Sequence, residues 1–440
     1  PPSPVASQRM LTGPAMRTAS ALCILGSVCV SAFAPSSLLH LRTSTRAAVS
    51  LSRGRHALRM SSPTKEAPVT DRAQDVGIGQ ESERKAAEQL MQPCPLTEWG
   101  APLNVLEAQN SLKNEQLPAY PLEVSKPSAE LDLDAQEAYF RENKEQILDN
   151  LATHGAVVMK GFELMKEPEG FERMWKALGM EACLDPLHSV AGRPVVSGKN
   201  AVYEAVNKPS RSKFFVGMHN EMVGKRTVRR AAFVCFQRAD VGGEFIIADG
   251  VRVLRDLKPD FIKNLYEKKI RFSSAELPMG FLDKTGPLQP ILEPALRSLL
   301  GVVVDMKVDF EVDMFWNRVN GKRVIQAHAP PQPPVISHPD TGMPTWFCNI
   351  HSHSAKLRDE RDGVLPETTG ASKLNKSDVF YGDGSEISDE DLKHVDETIK
   401  KNMVYLTMNP GDVVLVDNYR TMHGRNVFEG TRKHAVTWFK

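Results

Sequence analysis

Two segments about 200 residues apart each place imidazole or carboxylate groups at the end of an apolar, strand-like run, and they restrict the fold more than anything else in the chain. The first is Phe214-Phe215-Val216-Gly217-Met218-His219-Asn220-Glu221-Met222. Side chains alternate along an extended chain, so His219 and Glu221 are expected on one side and Asn220 on the other, facing a supporting shell. The second runs from Asp412 through Val413-Val414-Leu415-Val416 to Asp417-Asn418 and ends at His423-Gly424-Arg425. A site built from both segments needs a fold that brings together residues distant in sequence.

A His-x-Glu tripeptide is common by chance, so its surroundings decide. After it come the buried-strand pattern Ala231-Ala232-Phe233-Val234-Cys235-Phe236 and the turn Gly242-Gly243-Glu244 leading into Phe245-Ile246-Ile247-Ala248-Asp249. After His423 come Phe428, Gly430 and Arg432, and the chain ends on a strand-like Ala435-Val436-Thr437-Trp438-Phe439-Lys440. Two imidazoles and one carboxylate form a facial set that leaves positions open on non-haem Fe(II).

These motifs, with His154–Phe162, His338-Pro339-Asp340-Thr341-Gly342, Trp346-Phe347 and Tyr381–Ser385, resemble the TauD/TfdA-like group of Fe(II)- and 2-oxoglutarate-dependent oxygenases, the taurine dioxygenase and clavaminate synthase relatives. The likeness extends over residues 131–440. It implies an α+β fold with a double-stranded β-helix (jelly roll) core flanked by helices. It also implies His219, Glu221 and His423 as catalytic metal ligands, Fe(II) as cofactor, and 2-oxoglutarate and O2 as cosubstrates. Glutamate at the middle ligand resembles the clavaminate synthase branch, and a carboxylate there argues against a halogenase. The implied reaction decarboxylates 2-oxoglutarate to succinate and CO2 while hydroxylating or desaturating a small organic substrate. The alternative is a non-catalytic jelly-roll binding or regulatory module.

The far carboxylate of 2-oxoglutarate needs a fixed cation, and guanidinium offers a bidentate fork. Arg432 is the first choice. The family often has two arginines here, whereas this chain has Arg432-Lys433, so Lys433 takes the role if the register slips by one. Alternation lets only one of the two face inward. Arg425 is a third candidate. Phe245 stands where relatives usually carry a threonine whose hydroxyl orients the cosubstrate, and this is the main motive for the non-catalytic alternative.

The remaining histidines are read more plainly. His351 and His353 have no carboxylate at metal-ligand spacing, and one of them is a candidate for the substrate pocket; His154, His328 and His338 are read as loop or core residues. Asp417 and Asn418 are expected to brace a turn, and Trp346, Phe347 and Trp438 to fill the core.

Lys+Arg 55 against Asp+Glu 54 gives a net charge of +1, which provides no global basic field for nucleic acid. Arg226, Arg229 and Arg230 form a local basic cluster, read as a solvated face or an entrance for an anionic substrate. Cys94, Cys183, Cys235 and Cys348 form no metal motif and are read as free, buried thiols. The oligomeric state is left open.

Residues 1–60 read as an address. Arg17, the apolar stretch Ala19–Ala32 and the ending Val30-Ser31-Ala32-Phe33-Ala34-Pro35 have the layout of a signal peptide, and Phe33–Lys65 lacks acidic residues while carrying five arginines between Arg42 and Arg59. The combination resembles the bipartite presequence of algae with complex plastids, with mitochondrion or secretory pathway as alternatives. A fusion of residues 1–65 to a fluorescent protein that stayed in the cytosol would contradict it. No other run approaches a membrane span, so no membrane association is expected once the presequence is removed.

Residues 61–130 are expected to form a linker or an N-terminal arm, with a short helix over 81–90. Helices are expected over 135–153, 168–178, 256–266 and 388–401, the last capped by Ser388, and a strand over 155–160. Residues 285–330 give no clear pattern.

Overall fold

The computed structural model describes residues 78–185, 195–204, 212–223, 225–278, 286–296, 313–319, 322–361 and 378–440, with single positions between them. Residues 1–60, where a targeting presequence is expected, lie outside the described residues, as does part of the 285–330 region.

Two sheets carry the jelly roll. The major sheet has the order Leu122–Ser125, Ala156–Lys160, Val413–Asp417, Arg230–Gln237, Lys433–Phe439, Val202–Glu204, Val195–Ser197, with Ala182–Cys183 pairing on the terminal strand. The minor sheet has the order Met403–Leu406, Phe245–Asp249, Thr421–Arg425, Val216–His219. The chain passes from minor to major to minor over 216–249 and alternates again over 403–439. This double winding is what brings the segments of His219 and His423 together.

Alternation along Phe245–Asp249 divides its side chains between two cores. Phe245 and Ile247 pack with Phe233, Val414 and Val436 between the sheets. Ile246 and Ala248 pack on the other side with Trp346, Leu254, Ile262 and Val395, from the long insertion between the two windings. That insertion also contains a second four-stranded sheet made of 313–319, 322–328, 270–278 and 378–381.

The expected helix over 135–153 is two helices, Leu133–Glu142 and Lys144–His154. Asn143 divides them: its side-chain amide and its backbone N–H both bond the Tyr139 carbonyl, the local competition that weakens a helix interior. The helix expected from Asp256 starts instead at Pro259, because Lys258 before it is extended (φ −63°, ψ 132°), as a residue preceding proline prefers. Ser388 does cap Asp389–Asn402, accepting from Asp391 N at 3.1 Å. Residues 78–130 form an arm that is packed into the main body. Ala87, Met91 and Cys94 enter the main core, and Leu122–Ser125 joins the major sheet in parallel with Ala156–Lys160. Among the described residues no helix is long and apolar enough to cross a membrane.

Candidate metal centre

His219 and His423 are direct partners across the antiparallel pair of Val216–His219 and Thr421–Arg425. Partners in such a pair project to the same face, and their ring centroids lie 4.3 Å apart. The strand ends at His219, so Glu221 is brought round by specific hydrogen bonds beyond simple alternation. Its Oε1 lies 3.4 Å from His423 Nε2. One ligand atom from each of His219, Glu221 and His423 falls within 4.8 Å of the others.

Three asparagines hold the turn. The Asn349 side chain accepts from Asn220 N at 2.8 Å and donates to Asn220 O at 3.1 Å. Asn418 does the same for Glu221, accepting from its N–H at 2.8 Å and donating to its carbonyl at 3.0 Å. Asn220 in turn donates to Asn418 O at 2.7 Å. Two side-chain amides therefore replace the ladder partners that the ended strand lacks, and Glu221 is fixed through its own peptide. Asn418→Ala should weaken metal affinity or turnover by about 10–100-fold, the usual cost of losing an outer partner of a ligand. Iron retention at a set chelator concentration would measure it.

Hydrogen bonds also set the histidine behind the strand. His219 Nδ1 donates to Gly217 O at 2.8 Å, which leaves Nε2 as the lone-pair nitrogen. Met218 N donates to His351 Nδ1 at 2.8 Å, and His351 Nε2 faces Asp396 Oδ1 at 3.2 Å. Gly217 permits this close packing, since a Cβ there would lie 2.8 Å from Ser352 Cα. His351 is fully buried, and burial, with Arg361 and Lys400 nearby, pulls its pKa down to about 4 despite Asp396. The folded chain thus takes up this proton at lower pH than the unfolded chain does. The stability His351 contributes is present above pH ~6.5 and is lost as pH falls toward 4. At pH 5 the loss should be about 2 kcal/mol, and urea titrations at pH 7 and pH 5 should show this difference shrinking in His351→Gln.

Phe233 and Phe245 wall the other side. Their centroids are 4.6 Å apart, Phe233 lies 4.6 Å from the His423 ring, and Phe245 stacks on His423 at 5.9 Å and 18°. Among the described residues, none offers a hydrogen bond to the buried His423 Nδ1. Phe245 thus supplies ring packing on a candidate ligand histidine at the position where a hydroxyl was the family expectation.

Of the three basic candidates, Arg432 is buried, Lys433 is exposed and Arg425 is buried. Arg432 Nε donates to Gly243 O at 3.1 Å. Gly243, at φ 74°, lets the guanidinium stem approach, because a Cβ would sit 3.3 Å from Arg432 Cδ. Burial, and secondarily Arg425, pull the Arg432 pKa down to about 9, so it remains charged at neutral pH. Arg425 donates to Asn426 O at 2.7 Å and Phe214 O at 3.0 Å. Those bonds brace the chain around the Val216–His219 strand.

Of the other histidines, His338 pairs with the buried Asp417 at 2.9 Å, and His154 Nδ1 lies 2.6 Å from Ala119 O. Arg229 bonds Asp340 at 2.6 Å, so this member of the basic cluster is engaged in an ion pair.

Residues 114–438 match the taurine catabolism dioxygenase TauD, TfdA family. The chain belongs to that family. As a TauD/TfdA member it is an Fe(II)- and 2-oxoglutarate-dependent type of oxygenase, and its core is the clavaminate synthase-like jelly roll described above. It is 25% identical over 289 residues to the dapdiamide synthesis protein DdaC of Enterobacter agglomerans, covering 65% of this chain and 82% of that one. It is 22% identical over 334 residues to a clavaminate synthase-like protein of Arabidopsis thaliana, covering 73% and 94%. Among solved structures, an asparagine oxygenase in complex with Fe(II), 2S,3S-3-hydroxyasparagine and succinate matches at a TM-score of 0.42 and 14% identity, covering 78% of this chain and 93% of that one.

The donor set suits the family's metal. Two imidazole nitrogens and one carboxylate oxygen are the ligand types Fe(II) takes in a facial arrangement. A carboxylate as buried as Glu221, 8% exposed, is favourable only with compensating charge or hydrogen bonds, and a divalent cation supplies charge.

Proposed function

We propose that this protein is a dioxygenase that hydroxylates or desaturates a small organic molecule, with iron held by His219, Glu221 and His423 and the far carboxylate of 2-oxoglutarate held by Arg432. The observation that carries the reading is the convergence of three candidate ligand atoms within 4.8 Å, from two paired strands and from the turn that follows one of them. When bound, the iron and 2-oxoglutarate supply oxygen activation, with succinate and CO2 as the products of the cosubstrate.

The chain's own residues do the positioning. Gly217 O fixes which nitrogen of His219 is offered, while Asn349 and Asn418 fix the peptides on either side of the Glu221 side chain. Phe233 and Phe245 keep water from one side of the His423 ring. Arg432 presents a charged fork from a buried position, where a fixed cation acts more strongly on an anion than it would in water.

The non-catalytic alternative drew on Phe245 and Lys433. Phe245 packs on a ligand ring and Lys433 points to solvent beside an inward Arg432, so neither residue obstructs the ligand set. Aerobic incubation of the iron-loaded chain with 2-oxoglutarate and a panel of small molecules tests the proposal. Succinate should form faster with a productive substrate. Iron binding without 2-oxoglutarate consumption under every condition would favour the binding module.

A further inference from the structure

Cys94 and Cys183 are 89 positions apart in the chain, and their sulfur atoms meet at 2.6 Å in a buried seam. The seam is made where the N-terminal arm inserts between two other segments. On one side, Gln92 bridges Cys183 in parallel, Leu184 N donates to Gln92 O at 2.9 Å, and the Cys94 thiol donates to Leu184 O at 2.9 Å. On the other side, Arg226 Nη1 donates to Cys94 O at 2.6 Å, Thr227 N to Pro95 O at 3.1 Å, and Thr97 N to Lys225 O at 2.7 Å. The strands Met222–Val223 and Arg226–Thr227 form a hairpin that starts at the residue after Glu221. The arm therefore joins the edge of the major sheet to the segment that leaves the metal centre.

We infer that Cys94 and Cys183 form a reversible dithiol–disulfide pair that fastens the N-terminal arm across this seam, beside the metal-bearing turn. The two sulfurs are held by backbone pairing on both flanks, so forming the bond needs a closure of about half an ångström. Cys235 and Cys348 are buried too, but each is held elsewhere: Cys235 donates to Met408 O at 3.5 Å, and Cys348 lies in the second core. In the reduced pair the Cys94 thiol is kept neutral by its contact with Cys183, by burial, and by the negative charges of Asp185 and Glu221.

The oxidant is a low-molecular-weight disulfide such as glutathione disulfide. When the arm opens, the Cys94 thiolate attacks one sulfur of that disulfide, forming a mixed disulfide and releasing one glutathione thiolate. Cys183, also as thiolate, then attacks the Cys94 sulfur and releases the second glutathione. The protein gives up two protons and two electrons, and one glutathione disulfide becomes two glutathione molecules.

The test equilibrates the 440-residue chain in glutathione buffers from fully reduced to fully oxidised, quenches with acid, and alkylates the remaining thiols after denaturation. Peptide mapping should find Cys94 linked to Cys183 and both Cys235 and Cys348 alkylated. Limited proteolysis within residues 91–104 should be slower by about tenfold or more in the oxidised chain. That protection should vanish in Cys94→Ala and Cys183→Ala. If either variant fails to fold, the mapped cross-link in the unmodified chain still decides. Glutathione adducts without the cross-link in fully oxidised buffer would overturn the inference, as would a cross-link that leaves the proteolysis rate unchanged.

Discussion

Arg432→Ala should raise the dissociation constant for 2-oxoglutarate by roughly 30-fold to several thousand-fold, while Lys433→Ala should leave it within about twofold. Truncating one partner of a buried, hydrogen-bonded charge pair costs about 2–5 kcal/mol, and each ~1.4 kcal/mol is a factor of ten in affinity. The contrast follows from alternation: Arg432 is 3% exposed and anchored to the Gly243 carbonyl, and its neighbour points to solvent. Calorimetric titration of 2-oxoglutarate into anaerobic Fe(II)-loaded protein separates the two variants. Lys433→Ala with the larger effect would mean that the terminal strand holds the opposite register in solution. Arg432→Lys should recover only part of the affinity, since an ammonium lacks the planar fork.

Glu221→Ala is expected to reduce iron retention and turnover by more than about 100-fold. Losing an outer partner of a ligand costs 10–100-fold, and here the ligand itself is removed. The variant leaves His219 and His423 facing each other at 4.3 Å with no anion to offset the metal charge. Glu221→Gln separates charge from shape. It keeps an oxygen donor of similar reach and the Asn418 bonds to the backbone, so iron loss in Glu221→Gln would assign the effect to the missing negative charge. Metal analysis after gel filtration, with the circular dichroism spectrum as a check on folding, gives the reading.

The parts of this site that a reader of the sequence could find are those carried by local period. Strand alternation put His219 and Glu221 on one side of their segment with Asn220 on the other, and it made Arg432 and Lys433 exclusive. Ser388 announced a helix start through the same chemistry that the structure displays. The His-x-Glu pair and His423 were legible because both sit at the ends of apolar runs.

Other features depend on contacts that local pattern does not encode. Asn349 and His351 come from the long insertion, roughly 130 residues beyond the strand they support. A side-chain amide that imitates a ladder partner has no periodic signature, and a histidine accepting from Met218 N looks like any other histidine in the text. The break at Asn143 was hidden because a single asparagine in a helical pattern is tolerated elsewhere. The contact of Cys94 with Cys183 was hidden by their separation of 89 positions, since spacing alone favoured neither partner.

The most direct measurement of the central claim is an anaerobic titration of 2-oxoglutarate into Fe(II)-loaded protein, followed by visible absorption, with His219→Ala beside it. A metal-to-ligand charge-transfer band that saturates in the natural protein and is missing in the variant is the expected result, because the band needs iron in the site and the keto acid chelating it. Bound iron with no band at any 2-oxoglutarate concentration, or an undiminished band in His219→Ala, would contradict the assignment of this centre.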